Sequence, residues 1–312
     1  MDLRQLRTFV NVAELGRFSL ASRRMRIAQP ALSRQIRLLE EELNARLFER
    51  NSRGVTLTQA GVTFLEHAQT ILRQVDKARS SVGENTGTVA GNVIFGMPQS
   101  AGVILAVRLI ERFRSSYPSV TLQMIEGIGS MIHDWMLNGQ LDVGVIYDPE
   151  VTGHLETEPL WSEDLHLVGP ARVFGQEETI SFGEASDLEL ALPAMGNGLR
   201  GLVERYASRA GITLNTVIEA DAQRVQQELA MRGTAYTILP RASVEESIRS
   251  GKLSAARIVS PNIPRVLALA YSSERPISPA AQLLGEMIST LAAELVADPN
   301  CPDLQTPVRK GR

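Results

Sequence analysis

The chain has 312 residues, 44% of them hydrophobic and 21% charged, with a formal net charge of -3; this is apolar enough to build cores and excludes global disorder. The opening residues carry charges at Asp2, Arg4 and Arg7, and no stretch approaches the roughly 18 apolar residues of a membrane span, so a cytoplasmic protein is expected. A single cysteine, Cys301, excludes an internal disulfide framework, and the length allows two or three compact units.

The charge is unevenly divided. Up to Thr58 there are eleven arginines, no lysine and six acids, so this segment is basic and the remainder acidic. A local basic face is enough for nucleic-acid binding, and the planar fork of arginine suits phosphate and guanine. Leu3, Leu6, Val10 and Ala13 recur at steps of three and four, which predicts an amphipathic helix ending near Gly16. Ser19 is the expected N-cap of a short helix through Leu20, Ala21 and Met25, followed by a turn over Arg26 to Ala28. Pro30 fits the first turn of a third helix, in which Leu32, Ile36, Leu39 and Leu43 make one apolar stripe. At about 100° per residue, Ser33, Arg34 and Arg37 fall away from that stripe, with Gln29 at the helix entrance. Any one of these residues alone reads as solvated surface. Together they also suit a recognition helix, since Gln and Arg make paired hydrogen bonds to adenine and guanine. Leu47 to Arg50 and the following run to Thr58 read as two short strands about a polar turn, a wing with Arg53 near its tip. That arginine suits the narrow minor groove, or is an exposed loop residue.

The run Ala28-Gln29-Pro30-Ala31-Leu32-Ser33-Arg34-Gln35-Ile36, with Leu39-Glu40 and Leu47-Phe48-Glu49-Arg50, closely resembles the signature of the LysR family of bacterial transcriptional regulators. Arg53-Gly54-Val55, Leu57-Thr58 and Ala60-Gly61 resemble the family's wing and the start of its linker helix. The resemblance implies a winged helix-turn-helix over residues 1–58 that binds double-stranded DNA, with Gln29, Pro30, Ser33, Arg34 and Arg53 at the DNA. Ser22 departs from the family's usual alanine but keeps a small side chain.

Thr58 is placed to cap a long helix in which Leu65, Ala68, Leu72, Val75 and Val82 follow steps of three and four, interrupted at Arg79. The spacing predicts a coiled-coil seam; the alternative is a single amphipathic helix lying along its own domain, for which no nearby sequence offers an obvious complementary surface. The resemblance implies dimerisation through this helix, as a homodimer or homotetramer on dyad-symmetric DNA. Gly83, Asn85, Gly87 and Gly91 then break the periodicity, so linker and hinge are expected over 59–90, with the hinge near Thr86 to Ala90.

Next come strand-then-helix units: Val93 to Met97 with Ala101 to Tyr117, Val120 to Ile125 with Ser130 to Leu137, and Leu141 to Tyr147. A second set runs through Leu190 to Leu192, Leu199 to Ala210, Thr216 to Glu219, Gln223 to Met231 and Tyr236 to Leu239. The alternation predicts α/β architecture with a parallel sheet in two similar lobes. Similarity to LysR sensor domains and to periplasmic binding proteins implies an effector-binding domain over 91–312. Lobe I would take 91–164 and 268–312, lobe II 165–267, with crossings near Leu165 and Leu267 and a closing helix near Ala280 to Val296. In such sheets the ligand lies at the carboxyl ends of strands, against helix N-termini. Ser100 and Ser130 sit at such junctions, suited to an anionic effector, with Asn197 and Arg200 facing them from the other lobe and Tyr147 and Asp148 nearby. The alternative is that the serines are plain N-caps and Arg200 an ion-pair partner. Many family members carry Gly-x-Gly where this chain has Gly233-Thr234-Ala235, so a differently shaped pocket is expected. Leu141 to Tyr147 and Glu163 to Gly169 resemble the family's regulators of nitrogen assimilation.

An enzyme is the main alternative for the C-terminal part, and a solute-binding protein with a helical N-terminus the second. GxGxxG, GxxxxGK[ST] and G-x-S-x-G motifs are missing, and His67, His133, His154 and His166 lack metal-ligand spacing. Cys301 lies beside Pro302 in a tail expected to fray. No catalysis, metal or other cofactor is therefore expected. The family resemblance implies instead that an effector closes the cleft, shifts the subunits and alters DNA bending and RNA polymerase recruitment.

Overall fold

The computed structural model describes residues 1–51, 54–82, 89–148, 153–175, 178–301 and 303–307, and divides into two units, Met1–Gly87 and Thr88–Arg312. In the first unit, Asp2 opens α1 (Leu3–Leu15) with a capping box: its side chain accepts the Gln5 N–H, and the Gln5 side chain accepts the Asp2 N–H. Gly16 closes the helix in the left-handed region at φ 61°. α2 (Phe18–Met25) starts earlier than expected, with Arg17 rather than Ser19 at the N-cap. Packing explains the shift, because Phe18 is buried with its ring edge-on to Phe48 at 6.1 Å. α3 (Gln29–Leu43) carries Pro30 in its first turn and buries Leu32, Ile36 and Leu39.

Glu40 turns the chain out of α3 by accepting the N–H groups of Leu47 at 2.8 Å and Phe48 at 3.2 Å. The wing follows, as β1 (Phe48–Asn51) paired antiparallel with β2 (Gly54–Leu57). Gly54 is needed there: its φ is 147°, and a Cβ would stand 2.3 Å from the Gly16 carbonyl oxygen. Thr58 caps α4 (Gln59–Val82), its hydroxyl oxygen accepting the Gly61 N–H at 3.0 Å. Three positions of the expected coiled-coil seam are taken up within the unit. Ala68 is fully buried in the α1–α3 core, Leu65 and Leu72 pack against it, and Phe64 meets Phe9 at 5.0 Å, so α1 supplies the complementary surface that the sequence did not reveal. Val62 and Ile71 remain exposed on α4. Of the expected hinge, residues 86–88 lie outside the described residues.

The second unit runs β3 (Gly91–Met97), α5 (Gln99–Ser116), β4 (Val120–Glu126), α6 (Gly129–Leu137), β5 (Val143–Tyr147) and the long β6 (Leu155–Pro170). Then come β7 (Thr179–Ser181), α7 (Phe182–Asp187), β8 (Leu190–Leu192), α8 (Gly198–Ala210), β9 (Thr216–Glu219), α9 (Gln223–Met231) and β10 (Thr237–Pro240). α10 (Glu245–Arg249), β11 (Leu253–Val259), β12 (Pro264–Ser272) and α11 (Pro279–Ala297) complete it. The main sheet has the order β4-β3-β5-β12-β6-β11-β7, with β10 also on β6.

This sheet is mixed, not parallel. β3, β4 and β5 run parallel, but β12 is antiparallel to both β5 and β6. The reason is topological: β6 carries the chain out of one lobe and β12 brings it back alongside, so the two must run in opposite directions. β6 exchanges β12 for β10 and β11 as partners between Asp164 and Leu165. The return falls at Ile263 and Pro264, ahead of the Leu267 expected, because Pro264, Arg265 and Val266 already pair with Asp164, Glu163 and Ser162.

On one face of the first lobe, Leu109 and Phe113 of α5 and Leu284, Ile288 and Leu295 of α11 pack with Phe95 and Trp161. On the other, Ile132 and Met136 of α6 pack with Ile94 and Ile146. The second lobe buries Phe182, Leu202 and Val203 with Ile238 and Ile258. Contrary to the reading that no segment qualifies, α11, of 19 residues, passes as a membrane span by length and composition, with mean hydropathy 1.2 over an 18-residue window. Here its apolar stripe is part of the core just described. Contrary to the expected fraying, Leu304 is buried, and Ser162 and Gln305 exchange backbone hydrogen bonds of 2.9 and 2.8 Å.

Candidate nucleic-acid interface and ligand cleft

In the first unit α3 has two chemically distinct sides. Leu32, Ile36 and Leu39 face the core, while Gln29, Pro30, Arg34 and Arg37 are exposed and Ser33 is half-buried beside them. Arg34 forms no ion pair among the described residues, and Arg37 stands 3.5 Å from Glu41. Gln35 belongs to a different side, accepting the hydroxyl of buried Thr8, so its place in the signature is structural. Arg17, Arg23, Arg24 and Arg26 are exposed around α2, with Arg24 paired to Glu14 at 3.0 Å. The surface thus offers a carboxamide and several guanidinium groups, the chemistry that reads base edges and holds phosphates. Arg53 lies outside the described residues.

In the second unit, the N-terminal turns of α5, α6, α8 and α9 converge on one cleft of about 880 Å³. Such a convergence presents unpaired amide hydrogens and positive partial charge. Ser100, Ser130, Tyr147, Asp148 and Asn197 all line the cleft. Neither serine is an N-cap, because Pro98 precedes α5 and Ile128 precedes α6. Ser130 is exposed, whereas Ser100 is buried and accepts Nη2 of Arg265 at 3.2 Å. Asn197 does cap its helix, its Oδ1 accepting the Leu199 N–H at 3.0 Å.

Arg200 does not line the cleft. It is buried behind the wall, its Nε bonded to Glu204 at 2.8 Å, its Nη1 to the Pro193 carbonyl at 3.3 Å and 3.7 Å from Glu219. Its i,i+4 partner on α8 draws the side chain back along the helix. Arg205, Gln223, Gln226, Asp221 and His133 line the cleft and were not singled out by the sequence. Gly233, Thr234 and Ala235 are not among its lining residues, so the departure there does not shape this cavity.

The most connected of the unforeseen residues is Arg265. β12 places it directly opposite Glu163 on β6, where its Nε and Nη2 lie 2.8 and 2.7 Å from Glu163 Oε1. Its guanidinium carbon stands 3.6 Å from the centroid of the Tyr147 ring, and the Tyr147 hydroxyl donates to the same Glu163 oxygen at 2.9 Å. Burial pushes the Tyr147 hydroxyl far above the ordinary tyrosine range, so it remains a donor. Burial also works against the Arg265 charge, but Tyr147 and Glu163 outweigh it and hold the cation. The trace in the sequence is weak: Arg265 is the one charged residue in β12, but Glu163 is one of four acids in β6.

Residues 3–62 match the model of the bacterial regulatory helix-turn-helix protein, lysR family, and residues 86–293 match the LysR substrate binding domain. The chain belongs to the LysR family. It is 31% identical over 294 residues to the nitrogen assimilation regulatory protein nac of Klebsiella aerogenes, covering 94% of this chain and 96% of that protein. Full-length CbnR in complex with its target DNA is a structural neighbour at 25% identity and TM-score 0.72, covering 94% of this chain and 100% of that one. Full-length OxyR from Pseudomonas aeruginosa, in a variant form, aligns at 25% identity and TM-score 0.70, covering 93% and 98%. As a LysR-type protein the chain is a DNA-binding transcriptional regulator with an effector-binding domain, and not an enzyme.

Proposed function

We propose that this LysR-type regulator lays α3 in the major groove of dyad-symmetric double-stranded DNA as a homodimer or homotetramer, and that a small effector bearing an anionic group binds between its two lobes. The observation that carries the DNA half is the exposed side of α3, where Gln29, Pro30 and Arg34 project beside Ser33 opposite a fully buried stripe. A helix so placed can present paired donors and acceptors to base edges. A neighbour of the same fold that was solved with its target DNA supports this reading. The resemblance to the family assigns Arg53, outside the described residues, to the minor groove. Residues 1–58 serve as the DNA-binding domain, 59–90 as linker and hinge, and 91–312 as the effector domain. α4 pairs subunits through its exposed apolar positions, Val62 and Ile71, since Leu65, Ala68 and Leu72 are engaged within the unit.

Ser100, Ser130, Tyr147 and Asn197 form the effector site, with Arg205 adding positive charge and Arg200 bracing the wall from behind. Helix N-termini favour an anionic group there. Effector binding shifts the subunits on DNA and thereby RNA polymerase recruitment in the cytoplasm. The test is selection of bound duplexes by the full chain at moderate salt, then footprinting with and without a metabolite mixture. A dyad-symmetric site whose footprint changes with metabolites is expected. No preference for any duplex refutes the DNA half, and identical footprints throughout refute the effector half.

A further inference from the structure

α9 begins without a cap of its own. Its N-cap residue, Ala222, has no polar side chain, and the N–H of Gln223 is instead held across the cleft by Oε1 of Gln99, from the first turn of α5, at 3.3 Å. That distance is at the long end of hydrogen bonding, and Gln99 is exposed. Gln223 is the opposite: it is only 7% exposed, lines the cleft, and its Nε2 is buried with no partner among the described residues. Buried donors are nearly always paired, so an orphan at the wall of a cavity calls for an acceptor. Gln99 and Gln223 also border a separate crevice of about 250 Å³ together with Val103 and Met231, which gives the Gln99 side chain room to move aside.

We propose that Gln223 is an effector-binding residue, and that the carboxamide of Gln99 stands in for a carboxyl or carboxamide oxygen of the effector. This rests on the reading of the cleft as the effector site. One such oxygen can accept both the Gln223 N–H and an Nε2 hydrogen, at the positive end of α9. Asp221 lines the same wall two residues earlier, its Oδ1 accepting the Ala194 N–H at 3.1 Å, which tilts the site toward a neutral carboxamide over a carboxylate. The exchange replaces a bond between the lobes, from Gln99 to Gln223, with one made by the ligand.

The probes are acetate and acetamide, the smallest carboxylate and carboxamide, titrated into the full-length protein while backbone and side-chain amides are followed by NMR. A saturable shift of both Gln223 amides with at least one probe is expected. Gln99→Ala, at an exposed position, should lower the half-saturating concentration about three- to tenfold by removing the competing acceptor. If Gly129 and Ser130 amides respond while those of Gln223 do not, the proposal falls and the cleft reading stands. If no cleft amide responds to either probe, both fall. An unchanged half-saturation in Gln99→Ala overturns the stand-in role on its own.

Discussion

Replacing Arg265 with leucine asks whether the charged network beneath the cleft is held together by its arginine. Arg265 and Glu163 are 4% and 2% exposed; Glu163 Oε1 accepts hydrogen bonds from Arg265 Nε at 2.8 Å and the Tyr147 hydroxyl at 2.9 Å, and stands 2.7 Å from Arg265 Nη2 in the ion pair. Its Oε2 has no partner among the described residues, so Arg265→Leu leaves a buried carboxylate with one hydrogen bond. Breaking a buried pair in this way costs about 3–5 kcal/mol. For a unit of this size, about 2–4 °C of melting temperature accompanies each kcal/mol, so a fall of about 6–20 °C is expected. Removing both charges in Glu163→Leu with Arg265→Leu should recover most of the loss, because no unpaired ion remains. Guanidinium denaturation followed by tryptophan fluorescence isolates the right unit, since both tryptophans, Trp135 and Trp161, lie within Thr88–Arg312. A loss under about 1 kcal/mol for the single variant, or a double variant less stable than the single, would refute the reasoning.

Arg34→Ala should weaken specific DNA binding by about 1–3 kcal/mol while sparing random duplex, measured as the ratio of the two affinities; an unchanged ratio removes Arg34 from base reading. Gly54→Ala meets both a φ of 147° and a backbone oxygen 2.3 Å from the new Cβ, so it should cost at least about 1–3 kcal/mol in the first unit. Hydrogen exchange of the Val55 amide, bonded to Gly16 at 2.9 Å, would report it, and unchanged protection would show that the wing adapts freely. Burial holds His166 below the ordinary histidine range despite Asp303 at 3.8 Å. As pH falls below the unfolded value of about 6.5 the unfolded chain takes up the proton first, so stability present above that pH is lost down through the folded pKa. His166→Gln should therefore flatten the decline in melting temperature from about pH 7 to about pH 5, and equal slopes would count against a buried neutral imidazole.

What the sequence made legible in the first unit was local chemistry. Thr58 caps α4 and Pro30 lies in the first turn of α3 because capping and proline preferences act within a few residues. The partner of α4 was not legible, since Phe9 and Phe64 meet only after the chain has folded back on itself, and an apolar stripe reads alike whether it faces its own domain or another subunit. The start of α2 was lost for the same reason, as burial of Phe18 outweighed the capping preference of Ser19.

The cleft divides along the same line. A strand followed by a helix marks a helix N-terminus, so Ser100, Ser130 and Asn197 were found from position alone. Arginine direction is another matter: Arg200 lies at the right turn of α8 yet is drawn back to Glu204, four residues on, while Arg265 reaches Tyr147 and Glu163 from a strand a hundred residues away. That reach depends on strand register. Glu163 and Arg265 are direct cross-strand partners in the two strands that join the lobes, and a slip of one residue would turn either charge to the opposite face. A pair that is costly to break and satisfied in one register only thus fixes how the lobes are joined, and with it which side chains can meet across the cleft.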